Sequence, residues 1–392
     1  MNAINNSFRW FFSKKGLPYS ILCLTLLGML NMGVTYVYLI FLFCMTVLIC
    51  CNFKHYFDNT ALLILLFSVS YATIPLFLGR KPNIAFTLYF ATAPVFFYIY
   101  GRVLIDELYI TKAREWFVNI ILGIVICSTL FIFYSFFIKQ GIEFGMITEE
   151  RTISLTGNDR GFLATAIGNH LCMGFIGLSC FFFLKTRFIK RVVFLVLFGL
   201  SITVTTFLLN RTGVVLSVIT FLVISLYYSK KNSIRTFLYI GIIVLTAFLL
   251  LGVDSYQDLL SGYQMRNEDL STASGRFERW QIGIVNLWEH PMGWYRTENL
   301  LAHNMWLDIG GNSGIIPFIL ILIITSRSIK QIFFIFKKKG SAVTVLLLSI
   351  YTCFFFSMMV EPFLESVPIY VLLFFMLCGC LKQFSGYGGN YM

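Results

Sequence analysis

The residues best suited to chemistry by type and spacing are two arginines and a histidine. Arg276 and Arg279 stand in the run Ser274-Gly-Arg276-Phe-Glu-Arg279-Trp280. On a helix they fall one turn apart, and two such guanidiniums either grip a phosphate or pyrophosphate bidentately or rest against lipid headgroups. His303 opens the run His303-Asn304-Met-Trp306-Leu307-Asp308. An imidazole titrates near neutrality and so suits general-base work, with Asn304 or Asp308 to orient it, although a lone histidine is more often a hydrogen-bonded structural residue. Gly310, Gly311 and Gly314 follow, which allow either close helix packing or a broken helix top. Arg211, in Leu209-Asn210-Arg211-Thr212-Gly213, lies at the end of a long apolar run. A charge there is costly unless paired, so it is either a phosphate ligand or a partner for Glu361 or Glu365. Arg151 and Arg160 border a second polar segment and read as substrate contacts or as solvated loop charges. The other histidines are His55, His170 and His290. No carboxylate pair at catalytic spacing, nucleophile elbow, phosphate loop or metal-ligand cluster is present, so neither metal nor cofactor is expected.

The elements that must position these residues are membrane spans. The chain is 58% hydrophobic and 12% charged, whereas a soluble domain is nearer half apolar and a quarter charged. With 43 Phe and 20 Tyr, its apolar surface calls for lipid as the solvent. Apolar runs of about 17–25 residues predict an all-α polytopic protein with about twelve spans. They fall at 17–31, 34–53, 60–79, 84–104, 116–138, 162–184, 189–208, 212–229, 236–253, 304–326, 341–360 and 364–381. The first two read as a hairpin, and the first as an uncleaved anchor rather than a signal peptide. All 392 residues form one integral membrane domain in this reading.

Charge gives the expected orientation. With the N-terminus in the cytoplasm, the inner segments hold twenty of the 30 Lys and Arg but only four of the 18 Asp and Glu. That satisfies the positive-inside rule and places both termini in the cytoplasm. The net charge of +12 then reflects anchoring beside anionic lipid, not a nucleic-acid face. Two outer loops remain, 139–161 and 254–302. The second is the largest polar block, and loops of that length are usually functional. Within it Ser274 is a candidate N-cap and Pro291 a stop, while Phe277, Trp280, Ile284, Leu287 and Trp288 recur at helical spacing. That pattern predicts an amphipathic helix lying on the membrane surface. The ten cysteines all lie in or beside apolar runs and read as small apolar filler rather than a disulfide framework.

The combination of Arg211 opening a span, Ser274-Gly-Arg276 to His290-Pro-Met-Gly293, and His303-Asn304 with Gly314 eleven residues after the histidine resembles the O-antigen polymerase and O-antigen ligase superfamily of bacterial envelope glycosyltransferases. The motif similarity covers roughly residues 205–320, and the span count covers nearly the whole chain. This chain departs from the superfamily at Pro317, where a second Gly often stands.

The resemblance implies a glycosyltransferase of the bacterial inner membrane, acting on the periplasmic side without nucleotide or metal. It would take an undecaprenyl-pyrophosphate-linked glycan as donor. Arg211, Arg276 and Arg279 would neutralise the departing pyrophosphate, and His303 would take the proton from the attacking sugar hydroxyl. The compact loop and the high Phe content favour a polymerase of surface-polysaccharide repeat units over a ligase acting on lipid A core. A chain-length regulator and a flippase are the partners the resemblance implies. A reading of another class, a twelve-span flippase or transporter, would call for ionisable residues near mid-membrane.

Overall fold

The computed structural model describes residues 56–78, 84–110, 114–139, 188–207, 212–227, 276–294, 302–337, 342–360 and 368–387, with a few single positions between 152 and 210. In chain order the helices are α1 (Asn59–Phe77), α2 (Ile84–Ile110), α3 (Arg114–Phe133), α4 (Phe188–Phe207), α5 (Thr212–Tyr227), α6 (Arg276–Glu289), α7 (Met305–Ser313), α8 (Ile315–Phe336), α9 (Ala342–Val360) and α10 (Pro368–Gly386). A π-helical turn, Tyr134–Lys139, continues α3. Apart from a two-residue antiparallel pair, Thr152–Ile153 with Phe162–Leu163, the described residues with regular structure are helical.

Among the described residues five helical segments are long and apolar enough to cross a membrane: Asn59–Phe77, Thr87–Leu108, Ile121–Ile138, Ile315–Phe336 and Ala342–Val360. Shorter apolar helices run over Arg191–Thr206, Thr212–Tyr227 and Tyr370–Gly386. Large apolar side chains lie bare along them, such as Leu62, Leu66 and Val69 on α1, or Ile316, Ile319 and Leu322 on α8. Water would not tolerate so much apolar surface, and lipid does. The chain is a membrane-embedded all-α protein. Several buried hydroxyls are consumed locally: Ser68, Ser201, Thr205, Ser217 and Ser349 each donate to the carbonyl four residues back. Such back-bonding satisfies a polar group that has no water to turn to.

The expected spans at 17–31, 34–53 and 236–253 lie outside the described residues, as does most of 162–184. One boundary differs in a way that matters. The apolar run expected at 304–326 is not one helix. It breaks at Gly314 into the short α7 and the 22-residue α8. Gly314 adopts φ +85°, a left-handed conformation that ends α7, and Pro317 falls in the first turn of α8, where no backbone donor is lost.

Two compact units are present. The first gathers the described residues within 1–117, 276–339 and 358–392, and the second those within 118–275 and 340–357. The first holds α1, α2, α6, α7, α8 and α10. Its tightest crossing pairs α2 with α10, where Gly101 and Gly379 each lie against the other helix's backbone: a Cβ on either would sit 2.0 Å from a carbonyl oxygen, of Met376 or of Tyr98. Small residues let membrane helices approach in this way. At one end of this unit Arg102 pairs with Asp58 at 3.0 Å, and its Nε donates to Gln383. Asp58 also caps α1 through the backbone N–H groups of Thr60 and Ala61. In the second unit the Asn210 Oδ1 accepts from the Gly213 N–H at 2.9 Å at the start of α5.

A candidate active site around His303

The site is built at the other end of the first unit, where α6 packs on α7. Gly283 and Leu287 of α6 are buried, and a Cβ on Gly310 of α7 would come within 2.5 Å of Leu287 Cδ2. Leu287, Trp294, Ala302 and Leu307 form one apolar cluster, with Trp280 and Phe318 packed on it. The glycines of the His303–Gly314 segment therefore serve both roles expected of them: Gly310 admits a neighbour and Gly314 breaks the helix.

The turn after α6 is pinned to the α7–α8 junction by two backbone hydrogen bonds. The Trp294 N–H donates to the Gly311 carbonyl and the Ile315 N–H to the Pro291 carbonyl, each at 2.9 Å. Gly293 lies at φ +102°, and a Cβ there would meet the Gly311 oxygen at 2.6 Å. Helix α6 ends at Glu289, just before Pro291, as its sequence predicts. On α7, Asn312 and Ser313 donate to the hydroxyl and the carbonyl of Tyr71 on α1, and Trp306 Nε1 donates to Thr325 of α8.

The surface-helix expectation is corrected in one respect. The five apolar positions form one stripe, but only one edge of it is covered by protein. Trp280 and Leu287 turn inward toward α7, whereas Phe277, Ile284 and Trp288 stay exposed, Trp288 at 75%. Trp280 goes further and donates its indole N–H to the Ala302 carbonyl at 3.0 Å. That bond joins the arginine-bearing helix to the residue immediately before His303.

His303 is the only non-glycine residue with positive φ among the described residues, at +51°. Such a conformation costs of order 1–3 kcal/mol and persists only where the surroundings impose it. Here Asp308 imposes it. Its carboxylate is 2% exposed and bridges the backbone on both sides of the histidine, accepting from the Ala302 N–H at 2.9 Å and the Asn304 N–H at 3.0 Å. Asn304 caps α7, its Oδ1 accepting from the Trp306 and Leu307 N–H groups, while its Nδ2 donates to the Met359 carbonyl in the same unit. Asp308 thus braces the backbone on either side of His303 and Asn304 caps the helix that follows it; Asp308 also lies in the first turn of α7, where the helix dipole favours a carboxylate. Sequence spacing pointed to Asn304 and Asp308 as partners of the imidazole ring. The signal for a backbone role was an Asn four residues before an Asp at a helix start, a capping pattern.

This clamp leads to a prediction. Asp308→Asn keeps one acceptor but turns an N–H toward the second backbone donor. The variant should lose about 2–3 kcal/mol of stability, the worth of hydrogen bonds to a charged group. Thermal unfolding in detergent measures it, and a melting temperature unchanged from wild type would remove Asp308 from this role.

Electrostatics link His303 to α6. The ring is half-buried, and burial pushes its pKa below the ordinary value; the positive charges of Arg279 and then Arg276 push it down further. At neutral pH the imidazole is therefore a free base. The charges of Arg279 and Arg276 thus reach the His303 ring, although 24 residues separate Arg279 from His303. Arg211, Arg151 and Arg160 lie outside the described residues. Among the described residues no group of three or more His, Cys, Asp or Glu could hold a metal ion. Cys127, Cys353, Cys378 and Cys380 are free thiols.

The sign of the coupling is testable. A general base works in its neutral form, so activity falls as pH drops through the His303 pKa. Removing the Arg279 charge raises that pKa, so Arg279→Gln should move the acid limb of the rate–pH profile to higher pH. Arg276→Gln should move it in the same direction by less. An acid limb that stays in place or moves to lower pH would contradict the assignment.

A half-buried neutral imidazole beside two guanidiniums can accept a proton from a hydroxyl while a neighbouring anion is held or released. No model of a known protein family matches the chain, and no curated protein matches it either.

Proposed function

We propose that the protein is a metal- and nucleotide-independent glycosyltransferase that polymerises undecaprenyl-pyrophosphate-linked repeat units of O-antigen or a related surface polysaccharide. The observation that carries this reading is the His303 site: a base kept neutral next to Arg276 and Arg279, at the end of a membrane-embedded helix unit. In the reaction, the acceptor hydroxyl oxygen forms a bond to the anomeric carbon of the donor glycan. Its proton passes to His303, and the bond from that carbon to the pyrophosphate oxygen breaks. The carrier pyrophosphate leaves with the electron pair, its charge met by the two guanidiniums and, in this reading, by Arg211. A single displacement inverts the anomeric configuration.

The topology proposed with it has about twelve spans in the bacterial inner membrane, both termini cytoplasmic and the site periplasmic. In the first unit the basic residues Arg327, Lys330 and Lys337 occupy the C-terminal part of α8, while His303 lies beyond its N-terminal end. A 22-residue helix is about 33 Å long, enough to separate two membrane faces. That arrangement supports a cationic cytoplasmic end and a reactive outer end.

The glycan ladder of a deletion strain tests the function. A polymerase loss leaves one repeat unit on the lipid A core. Bare core with accumulated carrier-linked polymer would mean a ligase instead. Purified protein that moves the carrier lipid between leaflets and extends no glycan would mean a flippase.

A further inference from the structure

We propose a binding site for an anionic phospholipid at the end of the first unit opposite His303. A cavity of about 970 Å³ opens there between α2, α8 and α10. Its walls carry Arg327 and Lys330 from α8, Lys337 from the C-cap of α8, and Lys382 from α10. The three α8 cations lie at i, i+3 and i+10, on one side of the helix, so they face a common space. Among the described residues none of these four cations is paired with a carboxylate. The two acids nearby are already committed. Asp58 pairs with Arg102 and accepts from Tyr98, and Asp106 accepts from Tyr56, Gln383 and Tyr387. Arg327 donates to Thr60 of α1, which fixes one guanidinium at the cavity wall. Four unpaired cations therefore face one lining carboxylate, Asp106, whose partners are neutral donors that leave its charge in place, and the site keeps a net positive charge.

A lipid fits better than a free phosphate because of what stands beside the cations. Phe333 and Phe334 line the same cavity and are 64% and 53% exposed. They belong to a helix long enough to cross the bilayer, close to its end, at the depth where headgroup meets acyl chain. A ligand matching both halves has a phosphodiester for the cations and a hydrocarbon chain for the rings. Positive-inside anchoring alone needs cations near the surface, not four converging on one cavity with an aromatic rim. The proposal is independent of the chemistry at His303.

The test titrates the full-length protein in neutral detergent with phosphatidylglycerol or phosphatidylcholine and counts bound lipid by native mass spectrometry. Wild-type protein should retain phosphatidylglycerol at least tenfold more tightly than phosphatidylcholine. A cation near an anionic headgroup contributes roughly a fivefold gain, so the triple variant Arg327→Gln/Lys330→Gln/Lys337→Gln should bind phosphatidylglycerol roughly a hundredfold more weakly. Its phosphatidylcholine binding should not change. Equal phosphatidylglycerol affinity in wild type and variant overturns the site, and displacement of the lipid by millimolar glycerol 3-phosphate overturns the choice of a lipid. If the variant does not fold, a photoreactive phosphatidylglycerol on the wild-type protein decides. Adducts within 327–337 or 382–387 support the site, and adducts confined elsewhere overturn it.

Discussion

His303→Asn should abolish long-chain polymer while leaving the protein folded and at normal level in the membrane. Asparagine is the substitution to make, because it tolerates the left-handed conformation that His303 adopts at φ +51°. Alanine removes the base equally well but adds backbone strain, so its loss of activity would mix two causes. A positioned general base contributes typically 10²–10⁴-fold, and a fall of that size in polymerisation rate is the expected result. Chain length on gels and initial rates with a carrier-linked repeat would measure it, with thermal unfolding as the control for folding. The pH profile separates the base from a structural histidine: in His303→Asn the residual rate should no longer fall at low pH. If His303→Asn polymerises at the wild-type rate, the imidazole takes no proton in this reaction.

Arg276→Ala should lower the rate by roughly 10²–10³-fold, the usual loss when a group that meets developing charge is removed. Arg276→Lys should restore only part of it, since an ammonium is a point charge and cannot make the paired contacts a guanidinium offers a phosphate. In the proposed reaction Arg276 meets the leaving pyrophosphate, so kcat should fall more than KM rises. A variant in which KM alone changes would make Arg276 a headgroup contact rather than a leaving-group ligand. Arg279 lies on the same helix one turn along and makes the larger contribution to lowering the His303 pKa. Its replacement should therefore be read mainly in the pH profile, whereas that of Arg276 should be read in the rate.

Much of the site was legible from short-range pattern. The run from Arg276 to Glu289 has helical spacing and stops before a proline, and it forms a helix over those residues. The glycines after His303 allowed either close packing or a break, and the structure uses Gly310 for the first and Gly314 for the second. What pattern could not supply was orientation. Trp280 and Trp288 are both large aromatics suited to a membrane interface, yet one donates to the Ala302 carbonyl and the other is exposed. Composition treats them alike, and only the presence of α7 on one side of α6 distinguishes them. Asn304 and Asp308 were legible as partners of His303, and the structure adds that both bond backbone groups around it, which spacing alone does not show.

The sequence by itself determined that this protein lives in a membrane, that its chain is helical, and which arginines and histidine stand near polar segments. Those properties follow from composition and from the period of apolar residues, which are summed over neighbours along the chain. The tertiary structure decided that Arg279 and Arg276 act on His303, that the imidazole is held neutral, and that four cations of α8 and α10 share one cavity. Charge interactions and desolvation depend on distance in space and on what has been excluded from the site. Residues 24 positions apart in the chain acquire those relations only when α6 has packed on α7.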